Sequence, residues 1–297
     1  MRFDQIYAGK KPVISFEVFP PRTEAALAGL QAVLPQLVKL QPRLMTVTYG
    51  ALGSTRDRTL EIARLLQSDY GMETACHLTC VGSSRAELDR ILSDIHSGGI
   101  RNIVALRGDP PQGESRFVPP PDGYRYASEL VGHIRRFEAQ SGFGPFGIAV
   151  AGYPEKHIEA EDMETDLGNL KRKVDAGGDV VITQLFYENR SYFRFVESVR
   201  ALGVTAPVVP GLLPIVSVKQ ILRITSMCGS AIPKDLRERL DLAGDDDGVA
   251  EKIGVQHCVT QARELLRRGV PGLHFYVLNR ASHMERIVEE LKSEILP

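Results

Sequence analysis

The chain reads as a single-domain α/β protein, a closed (β/α)8 TIM barrel over residues 1–297, with extra helical material before the last strand. Three observations predict this. Eight short β-prone apolar runs fall at 13–19, 44–49, 74–79, 102–107, 146–151, 179–185, 207–211 and 272–278. Their hydrophobicity is nearly continuous rather than alternating, as in parallel strands covered on both faces. Helical patterns separate most of them, and 297 residues suit a barrel of about 250 plus insertions. An open doubly wound sheet is the other arrangement of the same alternation.

The elements follow in order. Run 13–19 puts Ser15, Glu17 and Phe19 on one face and Ile14, Phe16 and Val18 on the other. Leu27, Leu30, Val33, Leu34, Leu37 and Val38 make a helical stripe; so do Leu60, Ile62, Ala63, Leu65 and Leu66, and Leu88, Ile91, Leu92 and Ile95. Run 102–107 leads into Arg107-Gly108-Asp109, where a glycine permits a turn and two following prolines forbid more ladder. The Pro- and Gly-rich segment 110–123 is a candidate lid or site wall. Gly142-Phe143-Gly144-Pro145-Phe146-Gly147 matches a dinucleotide fingerprint in spelling. It leaves a helix (127–139) and enters a strand, the reverse of the required order, so it reads as a loop. Segment 227–248 holds further helical material, and Asp245-Asp246-Asp247 reads as the cap of a helix beginning near Val249.

A 43% hydrophobic, 25% charged chain of net charge -1 has the composition of a globular protein and no nucleic-acid footprint. No apolar run approaches the ~20 residues of a membrane helix, and the N-terminal residues lack a signal-peptide core. A cytoplasmic protein is expected, with no membrane association. Cys76, Cys80, Cys228 and Cys258 form no Cys-x-x-Cys pair, and His77 and His157 have no partner at ligand spacing. Reduced thiols and no metal are expected.

Chemistry gathers at strand tips, where parallel α/β proteins build their sites. Arg107 and Asp109 either pin a turn or face a substrate. Glu17, inside an apolar strand, is either half of a buried Glu–Arg pair or an acid whose pKa burial raises towards neutrality. On the pattern 163–177, Asp166, Asn169 and Lys173 form a polar stripe with Arg172 nearby. That stripe is a solvated face or a holder for a cofactor's phosphates and ribose. Gln184 can donate to and accept from a flat heterocycle, and Arg280 suits a carboxylate.

Eight motifs in order resemble the methylenetetrahydrofolate reductase family: Ser15-Phe16-Glu17-Val18-Phe19-Pro20-Pro21-Arg22, Val47-Thr48-Tyr49-Gly50-Ala51, His77-Leu78-Thr79-Cys80, Leu106-Arg107-Gly108-Asp109, Tyr153-Pro154-Glu155-Lys156-His157, Asn169 to Gly177, Ile182-Thr183-Gln184-Leu185-Phe186 and His274 to Arg280. The resemblance implies a barrel with FAD at its C-terminal face and a ping-pong reduction of 5,10-methylenetetrahydrofolate to 5-methyltetrahydrofolate, with NADH or NADPH as donor. By matching positions it implies Glu17 as the general acid to folate N10 and Asp109 as a carboxylate near flavin and pterin. Asp109, Gln184, Gln220 and Arg280 would contact folate. Thr48, Tyr49, Ala51, His77, Arg107, Gly108, Asp109, Ala127, Tyr153, His157, Ala160, Asp166, Asn169, Arg172 and Lys173 would contact FAD. Val218 stands where well-studied bacterial members carry a stacking phenylalanine, which opens an alternative: a folate- and FAD-binding subunit that takes electrons from a partner protein. A homo-oligomer is expected. The chain ends soon after its last helical pattern, so no appended regulatory domain is expected.

Overall fold

The computed structural model describes residues 1–9, 11–49, 57–109 and 118–295, with the backbone of Arg56. Ala51 and residues 110–117 of the lid candidate lie outside the described residues. A short helix α1 (Phe3–Ile6) precedes β1 (Val13–Val18), α2 (Glu24–Lys39), β2 (Leu44–Val47), α3 (Arg56–Tyr70), β3 (Thr74–Thr79) and α4 (Arg85–Ser97). Next come β4 (Asn102–Leu106), α5 (Ala127–Ser141), β5 (Gly147–Gly152), α6 (Met163–Asp175), β6 (Val180–Thr183) and α7 (Asn189–Ala201). The chain closes with β7 (Val208–Val209), β8 (Gly211–Leu212), α8 (Val218–Cys228), α9 (Lys234–Ala243), α10 (Asp247–Arg267), β9 (Gly272–Tyr276), α11 (Ser282–Glu290) and α12 (Lys292–Ile295).

The strands pair in the order β7-β6-β5-β4-β3-β2-β1-β9-β8, all parallel. β7 and β8 are two halves of one stave: the first half pairs with β6 and the second with β9, which closes the ring. The break falls at Pro210, which has no N–H for either neighbour. Its carbonyl accepts from His274 N at 3.0 Å, and Gly211 N donates to Thr183 Oγ1 at 2.9 Å. The single run expected at 207–211 is therefore divided, and the doubly wound alternative is excluded by closure.

Two layers of core form. Ile14, Phe16 and Val18 join Leu30, Leu34 and Leu37 of α2 outside the strands. Inside the barrel, Leu44, Ala75, Val104, Ala149, Val180 and Val209 pack against Phe3, Ile6 and Tyr7. α1 plugs the N-terminal mouth, where Phe3 N donates to Asn102 Oδ1 at 2.7 Å. Helix starts are capped as their residues dictate: Thr23 and Ser84 accept from Ala26 N and Glu87 N. Asp246, within the acidic run, caps α10 through Gly248 N and Val249 N.

Several strands, β1, β2, β4, β6 and β9, stop earlier than their apolar runs. Phe19 lies past β1 and is 43% exposed. Run 272–278 ends as a strand at Tyr276, because Leu278 and Asn279 adopt φ of 50° and 53° and leave the ladder. Asn279 in this left-handed pose bonds both backbone groups of Phe19, tying the ends of β1 and β9 together. Gly142 ends α5 with φ 70°, and its GxGxxG spelling is the loop into β5.

Candidate active site

With α1 closing the floor, the barrel opens at the carboxyl ends of its strands, in a cavity of about 1240 Å³. Strand register decides what meets there. Glu17 is level with Thr46 of β2 and Tyr276 of β9, and Ser15 is level with His274. Glu17 Oε2 lies 3.1 Å from His77 Nε2 and 3.4 Å from His274 Nε2, and Thr46 Oγ1 donates to it at 3.4 Å. Burial pushes this carboxyl up. The charge and hydrogen bonding of His77 and His274 pull it down further, so it lies well below the usual carboxylate range. Two sequence expectations for Glu17 are thereby corrected: its ionic partners are histidines rather than an arginine, and burial does not set the direction of its pKa.

The tip of β4 forms a second part of the wall. Arg107, Gly108 and Asp109 all line the cavity, and Asp109 is exposed to it. Gly108 has φ 91°, and a Cβ there would run into Val81 and Thr79. Only glycine takes this turn without strain. The Arg107 guanidinium grips both oxygens of Glu159, Nε donates to Gly108 O at 3.1 Å, and the Asp109 charge adds to the field around it.

The polar stripe of α6 is not a solvated face. Asp166 and Lys173 are buried, and with Asn169 and Arg172 they line the cavity. Asp166 Oδ2 accepts from His157 N at 3.1 Å, and burial pushes the carboxyl up. Lys173 Nζ donates to Ala151 O at 2.5 Å and sits 5.5 Å from the Tyr153 ring centre. Burial pushes its ammonium down to about 8. Tyr153 and His157 stack edge to face at 4.6 Å. Arg172 bonds Asn169 Oδ1.

Tyr49, Ala127, Ala160 and Gln184 also line the cavity. The Gln184 amide oxygen accepts from Leu185 N at 2.9 Å, which leaves its NH2 as a donor. Three predicted site residues are not brought to the wall. Thr48 is bonded into the sheet end through its backbone to Val18 and Thr59. Gln220 on the first turn of α8 and Arg280 beyond β9 are exposed and outside the lining. Sequence reasoning singled out neither Tyr276, which lines the cavity and donates to Thr183 O at 2.7 Å, nor His274 behind Glu17. Their i, i+2 spacing on the last strand, matching Ser15 and Glu17, is the signal that could have found them.

The donor set suits a large, flat, anionic cofactor. Arg172, Lys173 and Arg107 supply cations, and the tight Gly108 turn lets backbone approach closely. Thr79 Oγ1, buried in the lining, has no hydrogen-bond partner among the described residues.

Fold and site define a (β/α)8 barrel with a polar site at its C-terminal mouth, built around a buried carboxylate–histidine cluster. The sequence places it further: residues 2–292 match the methylenetetrahydrofolate reductase family, and the chain belongs to that family. It is 39% identical over 268 residues to the 5,10-methylenetetrahydrofolate reductase of Escherichia coli, covering 90% of this chain and 86% of that protein. It is 42% identical over 275 residues to methylenetetrahydrofolate reductase (NADH) 1 of Arabidopsis thaliana, with 89% of this chain covered. The chain spans only 46% of that plant relative's length. Among solved structures, a Clostridium thermocellum protein described as binding two copies of 5-methyl-5,6,7,8-tetrahydrofolic acid matches with a TM-score of 0.65 at 16% identity, over 97% of this chain and 96% of that one. That likeness shows the fold. Among the described residues, no helix is long and apolar enough to cross a membrane.

Proposed function

We propose that this chain reduces 5,10-methylenetetrahydrofolate to 5-methyltetrahydrofolate, with FAD held in the cavity and NADH or NADPH as donor. The observation that carries the reading is Glu17 at the cavity wall, backed by two histidines, in a chain of this family. Bound FAD would accept a hydride from one substrate and pass it to the other. The protein's part is to hold and to protonate. Asp166, Asn169, Arg172 and Lys173 of α6 would take the polar parts of the cofactor. Tyr49, Ala51, His77, Arg107, Gly108, Asp109, Ala127, Tyr153, His157 and Ala160 would make up the rest of its seat. Asp109 would favour a developing cation on the pterin, and Gln184 would orient the folate.

Glu17 would deliver a proton to folate N10, breaking the bond between N10 and the methylene carbon. Such positioned transfer contributes about 10²–10⁴-fold.

A second reading, electron supply by a partner subunit, is favoured by Val218. It packs with Leu185, Leu213 and Ile221 and is not in the cavity lining, so it offers a nicotinamide no ring to stack on. We place the protein in the cytoplasm as a homo-oligomer; its free thiols Cys76, Cys80, Cys228 and Cys258 suit a reducing compartment. Anaerobic addition of NADH, NADPH and 5-methyltetrahydrofolate, each alone, tests both readings. Bleaching of the flavin by the folate and by a nicotinamide supports a self-sufficient reductase. Bleaching by the folate alone supports the partner subunit, and no bleaching of flavin-loaded protein refutes both.

A further inference from the structure

Behind Glu17 a chain of hydrogen bonds runs down inside the barrel and ends at its plugged floor. His274 Nε2 meets Glu17 Oε2 at 3.4 Å, His274 Nδ1 meets Ser15 Oγ at 2.9 Å, and Ser15 Oγ meets the Tyr7 hydroxyl at 2.9 Å. Ser15 and His274 are fully buried and Tyr7 nearly so. None of the three lines the cavity. This is a costly arrangement of polar groups that the flavin and folate contacts do not use.

The chain has a direction. Burial pushes the Tyr7 phenol up to about 12, so Tyr7 stays protonated and donates to Ser15. Ser15 in turn has the Leu273 carbonyl as an acceptor at 3.4 Å. With its proton aimed there, Ser15 Oγ accepts from both Tyr7 and His274 Nδ1–H. The imidazole then has Nδ1 held by Ser15 and turns Nε2 to Glu17. The other groups facing Glu17 are His77 from β3, Thr46 from β2 and Tyr276 from β9. Thr46 donates a neutral hydrogen bond, and the Tyr276 hydroxyl is committed to Thr183 O. His77 Nε2 is closer, at 3.1 Å, and its charge and hydrogen bonding lower the Glu17 carboxyl alongside those of His274; what sets His274 apart is the buried chain behind its Nδ1.

We propose that His274 is a positioning residue and the second seat of the Glu17 acid proton: its Nδ1 is fixed by Ser15 and Tyr7, and its Nε2 shares one proton with the carboxyl. The inference rests on the reading of Glu17 as the acid towards folate. Before the step, one proton lies between the two groups, as carboxylic acid facing imidazole or carboxylate facing imidazolium. Transfer to N10 forms the N10–H bond. The bond from N10 to the methylene carbon breaks with its electron pair left on N10, and the N5 lone pair forms the iminium. The pair is left as carboxylate facing neutral imidazole. One proton from water, entering through the cavity, restores it. A carboxylate held low by its neighbours can thereby serve as an acid near neutrality, because the pair rather than Glu17 alone sets the proton affinity.

The test uses FAD-loaded protein, reduced anaerobically and mixed rapidly with 5,10-methylenetetrahydrofolate from about pH 6 to about pH 9. Flavin reoxidation in His274→Gln should lose its alkaline limb about one pH unit or more earlier than wild type, about tenfold in rate at a fixed pH on that limb. Ser15→Ala and Tyr7→Phe should move the midpoint the same way by less. The pH profile of flavin reduction by its donor should stay in place in all three. Tyr7→Phe removes a single oxygen and decides the matter with Ser15→Ala if His274→Gln does not fold. Unmoved midpoints in variants that retain flavin, beside a Glu17→Gln variant that has lost reoxidation, overturn the shared proton and leave the acid assignment standing. Full reoxidation in Glu17→Gln overturns both.

Discussion

Replacing Lys173 by methionine should make the empty barrel more stable and the loaded one less so. Lys173 is buried, and its ammonium is pushed from 10.5 down to about 8, with only Asp166 opposing the desolvation. Below about pH 8 the side chain is charged in the folded and unfolded chain alike. Keeping it charged in the folded barrel costs about 3 kcal/mol at about 1.4 kcal/mol per pH unit. Methionine has similar length and no charge, so that cost disappears. The lost hydrogen bond from Nζ to Ala151 O offsets about 1.5–2 kcal/mol. A net gain of about 1–2 kcal/mol corresponds to a Tm rise of about 2–6 °C in a chain this long. Between about pH 8 and 10.5 the unfolded lysine holds a proton that the folded one has released, so wild-type stability rises with pH and the advantage of the variant shrinks. Calorimetry on flavin-stripped protein at about pH 7 and about pH 9.5 reads both effects, and equilibrium dialysis reads the weakened FAD retention. A flavin-stripped variant that melts below wild type at the lower pH, or a difference that ignores pH, would refute this account of Lys173.

Glu17→Gln should slow folate reduction about 10²–10⁴-fold while flavin reduction by the donor stays within a few fold; stopped-flow half-reactions show whether the two separate. Gly108→Ala should destabilise by about 2–4 kcal/mol, combining the left-handed φ of 91° with the collision against Val81 and Thr79. Gly142→Ala, at φ 70° with nothing within 4 Å of the new carbon, should cost about 1–2 kcal/mol; equal urea midpoints for the two would remove the steric part of the argument. His283 is buried, neither ring nitrogen has a hydrogen-bond partner among the described residues, and burial beside Arg280 and Arg286 pushes it down to about 4. As pH falls from about 6.5 to 4 the unfolded chain takes up a proton that the folded one refuses, so stability falls by about 3 kcal/mol. His283→Leu should abolish that share of the acid sensitivity, which denaturation at about pH 7 and pH 4.5 will show.

Much of this molecule was legible before folding. The strand runs and helical stripes follow from periodicity, a short-range property, and the strand starts agree with the structure to within a residue or so. Three ends overrun by two residues, those at 49, 185 and 278, because an apolar run continues into residues such as Leu185 and Leu278 that pack against other elements after the ladder has stopped. The α6 stripe shows the same limit. Its residue types were plain, but Asp166 and Lys173 differ from a solvated pair only through what packs over them.

Legible from the residues alone were the eight staves, the polar residues at their tips, the glycine at position 108 and the family motifs. Each depends on residue type and local spacing. Tertiary structure alone decided that the seventh stave splits at Pro210 to close the ring, and that Gln220 and Arg280 stand clear of the cavity. It alone decided the protonation of Glu17, whose partner His274 lies 257 residues away along the chain. A pKa depends on charge and desolvation over a few ångströms, and in a closed barrel the last strand is the first strand's neighbour.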